Sequence, residues 1–183
     1  LIKEDTDKVR ESVVMKKEGV YTGYPIKRCA LRDISLRCYL WSKLWKKSLF
    51  TENGISFPNR YFEDSTVIPT LFYYAKTISV IKARSYLYTV RNNSITGLTS
   101  ERCVVDYLNA NREIRQFYHS KSDYKKFRLS IAYLKAKVGM VAFCWVFVRI
   151  WRAKTFKYAG RNLSLIIRHW FTGYKDKHKS NAE

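Results

Sequence analysis

Residues 138–148 of this chain contain no charged side chain, and they lie within a longer segment that contains no acidic one. From Tyr124 to Lys175 there are 12 Lys and Arg residues and not one Asp or Glu. An uncharged run of 11 residues is too short to span a bilayer. It therefore predicts either a helix buried in the core or a helix that lies in the plane of a membrane surface.

The second interpretation gives roles to residues near the end of that run. Trp145 and Trp151 would lie at the boundary between water and lipid, where the amphipathic indole ring is favoured. Arg149, Arg152 and Lys154 would reach the lipid phosphates. Because the segment is cationic throughout, we expect an anionic membrane surface as its partner.

The composition places the chain among folded, strongly basic proteins. Its formal net charge is +20, and 46% hydrophobic residues are enough for a core. The cysteines Cys29, Cys38, Cys103 and Cys144 form no CxxC pair, which predicts free thiols in a reducing compartment and no zinc site. No signal-peptide pattern follows Leu1. We therefore expect a cytoplasmic protein, peripheral at the inner face of the cell membrane.

The pattern of apolar residues predicts two regions, 1–100 and 101–183, of which the second is a basic, aromatic-rich helical region. In the first region we expect a helix over Ser65–Ala75 and, because of its Gly and Pro, a loop over Tyr21–Ile26. The predicted helices of the second region are one of about 18 residues from Ser100, a long helix or a helix pair from Tyr124 to about Thr155, and one over Asn162–Phe171.

Two adjacent carboxylates, Glu63 and Asp64, stand out in a chain with few acids. Aromatic residues precede them, and the apolar Ser65–Ala75 helix follows. A carboxylate beside aromatic walls at the N-terminus of a helix can act as a general base. The alternative is that Asp64 or Ser65 caps the helix.

Four pieces of sequence occur in order around this pair. They are Trp41–Phe50, expected to be a strand or a strand–helix junction, Asn53–Phe57, Tyr61–Asp64 and Tyr86–Thr96. Together they resemble the C-terminal half of bacterial family 2 glycosyltransferases, which are inverting sugar transferases of the GT-A fold. The resemblance implies an α/β class, here an α+β fragment: the C-terminal, acceptor-side part of a GT-A nucleotide-diphospho-sugar transferase fold, followed by the basic helical region.

The resemblance also assigns roles to individual residues. In the family, the aspartate of the Glu-Asp pair is the catalytic base, so this role falls on Asp64, with Glu63 as its neighbour at the acceptor site. Trp41 and Tyr61 are candidates to stack on sugar rings. Arg91 is expected near the mouth of the site, where it could steady a diphosphate or an acceptor oxygen.

The activity implied by the resemblance needs more than this sequence contains. A nucleotide-sugar donor and a glycan or lipid-linked acceptor are the expected substrates, and cell-surface polysaccharide synthesis is the expected process. A divalent metal, Mg or Mn, is expected for the full-length enzyme but not bound to this chain. Asp5-Thr6-Asp7 matches the Asp-x-Asp metal signature only formally, because no buried apolar strand precedes it. We therefore expect the chain to be inactive without a nucleotide-binding half.

A different class of function is a basic binding module without catalysis. Lys and Arg interleaved with aromatic residues suit nucleic acid as well as an anionic membrane. The sequence has no ribonucleoprotein-type, helix-turn-helix or zinc-finger pattern. Within this alternative we therefore favour the membrane over nucleic acid.

Overall fold

The computed structural model of the chain describes residues 2–3, 17–33, 36, 39–81, 89–90, 101–153 and 159–171. The elements in chain order are β1 Ile2–Lys3, β2 Gly19–Thr22, α1 Gly23–Leu31, a 3-10 turn at Leu40–Ser42, α2 Lys47–Thr51, α3 Asp64–Tyr74, β3 Thr77–Val80, β4 Thr89–Val90, α4 Glu101–His119, a second 3-10 turn at Tyr124–Lys126, α5 Arg128–Ala153 and α6 Ala159–Phe171. These residues are mostly helical with little sheet, which is consistent with the predicted mixed class of helices and strands.

The strands form two small pairs. β2 and β3 are antiparallel, with Tyr21 opposite Ile78, and β1 and β4 are parallel. Tyr21 and Ile78 pack against a buried cluster that includes Ile26 of α1 and Ile68 of α3. The antiparallel pair is therefore held to the helices by apolar contacts on one of its faces.

The predicted helices are confirmed where the apolar pattern is strong. The helix expected over Ser65–Ala75 is α3, and the three helices expected in the second region are α4, α5 and α6. In α4 buried residues recur every three or four positions, at Val104, Leu108, Asn111, Ile114 and Tyr118. The predicted boundary at residue 100 stays a prediction, although Leu31 of α1 belongs to the same buried cluster as residues of α4, α5 and α6.

Two predictions for the first region are wrong. Tyr21–Ile26 is not a loop, because β2 continues to Thr22 and α1 begins at Gly23. Gly23 adopts φ +73°, which a residue without a Cβ allows. Pro25 is the third helical residue. A backbone N–H at this position would have no acceptor within the helix, so its absence costs no helical hydrogen bond. Gly and Pro usually indicate an interruption of secondary structure, but here both residues lie in the first turn of a helix.

The second correction concerns Trp41–Phe50, which contains no strand. The 3-10 turn at its start is closed by Tyr39, whose carbonyl oxygen accepts the Ser42 hydroxyl at 3.2 Å and the Lys43 ammonium at 2.8 Å. The short helix α2 then begins at Lys47. Of the piece Tyr86–Thr96, the structure describes only the backbone of β4, and the other residues lie outside the described part.

The contact between α5 and α6 depends on a glycine. Gly139 lies in the middle of α5, and a Cβ at this position would overlap the indole ring of Trp170 on α6. The ring therefore packs directly against the α5 backbone. A glycine inside a helix costs about 1 kcal/mol relative to alanine, and here the close approach of the two helices offsets that cost.

We predict opposite effects of Gly139→Ala in two backgrounds. In the wild-type chain the new methyl group displaces Trp170, and overpacking of this kind costs about 1–3 kcal/mol, which outweighs the gain in helix propensity. In a Trp170→Ala background the space is open, so the same change stabilises by about 1 kcal/mol. Urea unfolding of the four proteins measures both effects. Stabilisation in both backgrounds would show that the indole does not occupy this place.

Candidate active site

The acidic pair lies at the start of α3. Asp64 is the first helical residue, and Glu63 takes the N-cap position without any side-chain capping hydrogen bond. The Ser65 hydroxyl turns back to Asp64 Oδ1 at 3.5 Å. Neither Asp64 nor Ser65 therefore acts as the N-cap, and the Asp64 carboxylate faces the positive end of the helix dipole from within the first turn.

The Asp64 carboxyl is much more basic than an ordinary aspartate. Its pKa is raised from 3.8 to about 6, chiefly by partial burial, next by the neighbouring Glu63 charge, and to a smaller extent by Asp33. Hydrogen bonds from the backbone and the hydroxyl of Ser65 act in the opposite direction. Such a group is largely ionised at neutral pH and still accepts a proton readily, as a general base must.

An aromatic cluster stands directly before the pair. Phe62 has φ +59°, an uncommon and strained conformation for a bulky residue. Its ring stacks on Trp145 of α5 with centroids 5.6 Å apart, and it meets Tyr107 of α4 edge-on at 5.2 Å. The left-handed residue turns the chain sharply just ahead of Glu63, so two other helices determine how the acids enter α3.

This cluster also contains Trp145, one of the predicted membrane-anchor residues. Its ring packs against Phe62 and against Tyr107, 5.1 Å away, and it is half-buried at the edge of the core. The role of Trp145 as a membrane anchor stays a prediction. The side chains of Arg149, Trp151 and Arg152, and all of Lys154, lie outside what the structure describes.

The loop before the pair is fastened to α4 by charges. The Arg60 guanidinium forms a two-pronged ion pair with Glu113, with Nη2 to Oε2 at 2.6 Å, and Nη2 also donates to the Thr66 hydroxyl at 2.9 Å. The hydrogen bond with Glu113 raises the pKa of Arg60. The Tyr61 backbone N–H donates to Asp106 at 3.2 Å. These bonds position the residues that lead into Glu63 and Asp64.

The predicted sugar-stacking residues have different surroundings. The Arg102 guanidinium lies 4.7 Å from the ring centre of Tyr61, which covers one face of that ring. Trp41 is exposed at 36% and stacks on Tyr39 with centroids 4.9 Å apart. Arg91 lies outside the described residues. The roles of Trp41, Tyr61 and Arg91 stay predictions.

A cleft of about 320 Å³ opens beside α3. It is formed by the loop around Gly54, by α3 and by α4, and neither Glu63 nor Asp64 lines it. Its polar lining includes Thr66, Thr70 and Glu113. The acidic pair and this cleft are thus separate features of the surface around α3.

Metal ligands do not converge in the part of the chain that the structure describes. No three His, Cys, Asp or Glu side chains there form a group that could hold a metal ion. Asp5 and Asp7 lie outside the described residues. The divalent metal expected for the full-length enzyme stays a prediction, and no described residue of this chain is assigned to it.

Comparison with known proteins adds no relative: the chain matches no protein-family model, no curated protein and no solved structure.

Three residues of this site were not apparent from the sequence. Asp33, which adopts φ +53°, accepts the Lys137 ammonium at 3.0 Å and lies close enough to Asp64 to raise its pKa. Tyr107 and Trp145 follow Asp64 by 43 and 81 positions in the chain and lie on α4 and α5. For Tyr107 and Trp145 the sequence showed an aromatic side chain, which indicates that the residue packs but not that it packs against Phe62.

The raised pKa of Asp64 predicts that stability falls as pH rises. The folded chain holds this proton more tightly than the unfolded chain, so the stabilisation is complete below pH 3.8 and is lost as pH rises to about 6. Asp64→Asn removes this loss. We expect the variant to be more stable at pH 7, on the order of 1 kcal/mol because the carboxyl is partly exposed and screened, and equally stable near pH 4.

Thermal unfolding between pH 4 and pH 7 tests this expectation. Glu63→Gln is the matched control, because it removes the neighbouring charge and should flatten the pH dependence only in part. An Asp64→Asn protein that is less stable than the wild type at pH 7 would show that the carboxylate stabilises the helix.

Proposed function

We propose that this chain is the acceptor-side part of an inverting glycosyltransferase of the family 2 type, with the GT-A fold. It contributes to transfer of a sugar from a nucleotide-sugar donor to a glycan or lipid-linked acceptor in cell-surface polysaccharide synthesis. The observation that supports this most directly is the half-buried Asp64 carboxyl at the start of α3, with its pKa of about 6. It is the residue that the resemblance at Tyr61–Asp64 assigns as the base.

The chemistry requires a proton acceptor at the acceptor hydroxyl. As that oxygen forms its bond to the anomeric carbon, the proton moves to Asp64, and the nucleoside diphosphate leaves with the electron pair of the broken bond. At pH 7 a carboxyl with a pKa of about 6 is mostly ionised and therefore ready to accept. Its basicity exceeds that of an exposed aspartate, and this favours proton transfer.

The surroundings of Asp64 support the same role. Glu63 raises the pKa of Asp64 by repulsion, so we assign it an orienting and tuning role. The ring of Phe62, the residue before Glu63, stacks on Trp145 of α5, which fixes the chain where it enters the pair. A divalent metal would stabilise the leaving diphosphate in such a reaction.

We predict that Asp64→Asn abolishes turnover without destabilising the protein. The amide keeps the size of the side chain but cannot accept the proton, and loss of general-base catalysis typically costs about 10²–10⁴-fold in rate. Glu63→Gln should cost less, because it only shifts the basicity of its neighbour. Turnover is measured in a protein that joins this chain to a nucleotide-binding half of a family 2 glycosyltransferase, beside the melting temperature of each variant.

The pattern across the two variants separates the hypotheses. A dead Glu63→Gln with an active Asp64→Asn would reverse the assigned roles. Two active variants that melt early would mean that the pair serves only the helix. The proposal requires the combination of unchanged or higher stability with lost turnover in Asp64→Asn.

A further inference from the structure

The helix α5 carries large apolar side chains on its outward face. We name five of them the outer stripe: Leu129, Tyr133, Met140, Phe143 and Phe147, which are exposed by 71%, 43%, 58%, 50% and 62%. They are spaced by three, four or seven residues, so they share one side of the helix. At 1.5 Å per residue, the stripe runs for about 27 Å along the helix axis.

The opposite face of α5 is in the core. Ile131, Val138 and Ala142 are buried to 5% exposure or less, and they pack in the cluster that joins α1, α4, α5 and α6. Removal of α5 from this packing would expose the centre of the protein. The outer stripe is therefore an additional apolar surface on a helix that already has its own place in the fold.

The stripe is large for an exposed apolar surface. With roughly 200 Å² for each large side chain, the exposed fractions correspond to roughly 500 Å². The largest apolar patch on a typical soluble monomer measures about 300–600 Å² and often has a function. On α6, Trp170 and Ile167 are also about half exposed, and Trp170 packs on Gly139, the neighbour of Met140 in α5.

The charges near the stripe are mainly cationic, with Asp33, which pairs with Lys137 of α5, as an acidic exception. Lys125, Lys126 and Arg128 are exposed where α5 begins, and Arg32 places its guanidinium 5.9 Å from the Tyr133 ring centre. The sequence from 124 to 175 contains no acid. An apolar strip bordered by cations matches a surface that is apolar inside and anionic outside.

We propose that the outer stripe of α5 is a docking surface for an anionic lipid membrane. The helix lies parallel to the membrane plane, the five side chains enter the boundary between headgroups and acyl chains, and the flanking cations contact lipid phosphates. The proposal goes beyond the glycosyltransferase function, because it holds whether or not Asp64 is a catalytic residue. In this proposal the membrane contacts are made by the outward-facing side chains of the stripe and not by Trp145.

The core contacts of α5 favour this orientation over a helix that crosses the membrane. Among the described helices, the segment Arg128–Val148 of α5 is long enough and, with a mean hydropathy of 1.7, apolar enough to span a membrane. The uncharged residues 138–148 alone are too few for a span. The inner face of α5, however, contacts α4 and α6 along the core. A span would have to break these contacts, whereas in-plane docking leaves them intact.

A second copy of the chain is the less favourable occupant. Two stripes in contact would bring together two molecules of formal charge +20, with no acid in 124–175 to pair with the facing cations. Nucleic acid would suit the charge but not five exposed apolar side chains in a line.

Co-sedimentation with vesicles tests the proposal on the whole chain. We expect binding to vesicles of phosphatidylcholine with phosphatidylglycerol, and much weaker binding to phosphatidylcholine alone. Leu129→Ser combined with Phe147→Ser should weaken binding roughly tenfold, because less apolar surface leaves water. Leu44→Ser is the matched control for Leu129→Ser, since Leu44 is 99% exposed outside α5, and it should bind as the wild type does.

A measurement on the wild-type side chains does not depend on how the variants fold. Cys144 is exposed on α5 beside Phe143. Vesicles with phosphatidylglycerol should slow its reaction with a water-soluble maleimide at least severalfold, as followed by mass spectrometry. The thiol of a Leu44→Cys variant should react at the same rate with and without vesicles.

Several results would overturn the proposal. Equal binding to both kinds of vesicle, or to neither, removes the anionic membrane as the partner. Unchanged binding of the Leu129→Ser, Phe147→Ser protein, or unchanged labelling of Cys144, means that charge alone attracts the protein. A wild-type dimer that the two serines dissociate, with vesicle binding intact, assigns the stripe to a second copy.

Discussion

The packing of Tyr118 against Phe127 is the contact on which this structure depends most. Both side chains are fully buried, and their rings meet edge-on with centroids 4.8 Å apart. Tyr73 of α3 packs on both rings, and Tyr24 of α1 meets Phe127 at 5.6 Å. The Tyr118 hydroxyl donates to the carbonyl oxygen of Pro69 at 3.1 Å, so the polar group is satisfied. One aromatic cluster thus joins α1, α3, α4 and the start of α5.

This cluster determines where the acidic pair lies. It holds the C-terminal half of α3 and leaves the first turn, with Asp64, near the surface. The same α5 that begins at the cluster continues to Lys137, which pairs with Asp33, and to Trp145, which stacks on Phe62. The raised pKa of Asp64 is therefore a result of tertiary packing. Stabilising contacts elsewhere in the fold offset the unfavourable free energy of burying its charge.

A single helix connects the two proposals. The inner face of α5 completes the core and supplies Trp145 to the wall beside Asp64, and its outer face presents the stripe from Leu129 to Phe147. If both proposals hold, a lipid-linked acceptor would meet the base on a protein whose orientation to the membrane is set by the same helix. Close packing of Ile131, Val138 and Ala142 in the core would then hold the outer stripe and Asp64 in a fixed relative orientation.

The sequence by itself determined which segments are helical in the second region and that a helix lies directly after Glu63, because a helix with one buried face shows a periodic pattern of apolar residues. It also determined the formal net charge of +20, since charge is additive along the chain, and this is the basis for expecting an anionic partner. It did not predict α1, whose Gly23 and Pro25 are breakers in isolation and helix-starting residues in place. The side of α5 that faces outward, the inward turn of Trp145 and the raised pKa of Asp64 were decided only by tertiary structure. These depend on residues such as Asp33, Tyr107 and Lys137, which lie far from Asp64 in sequence, and on contacts that no local pattern encodes.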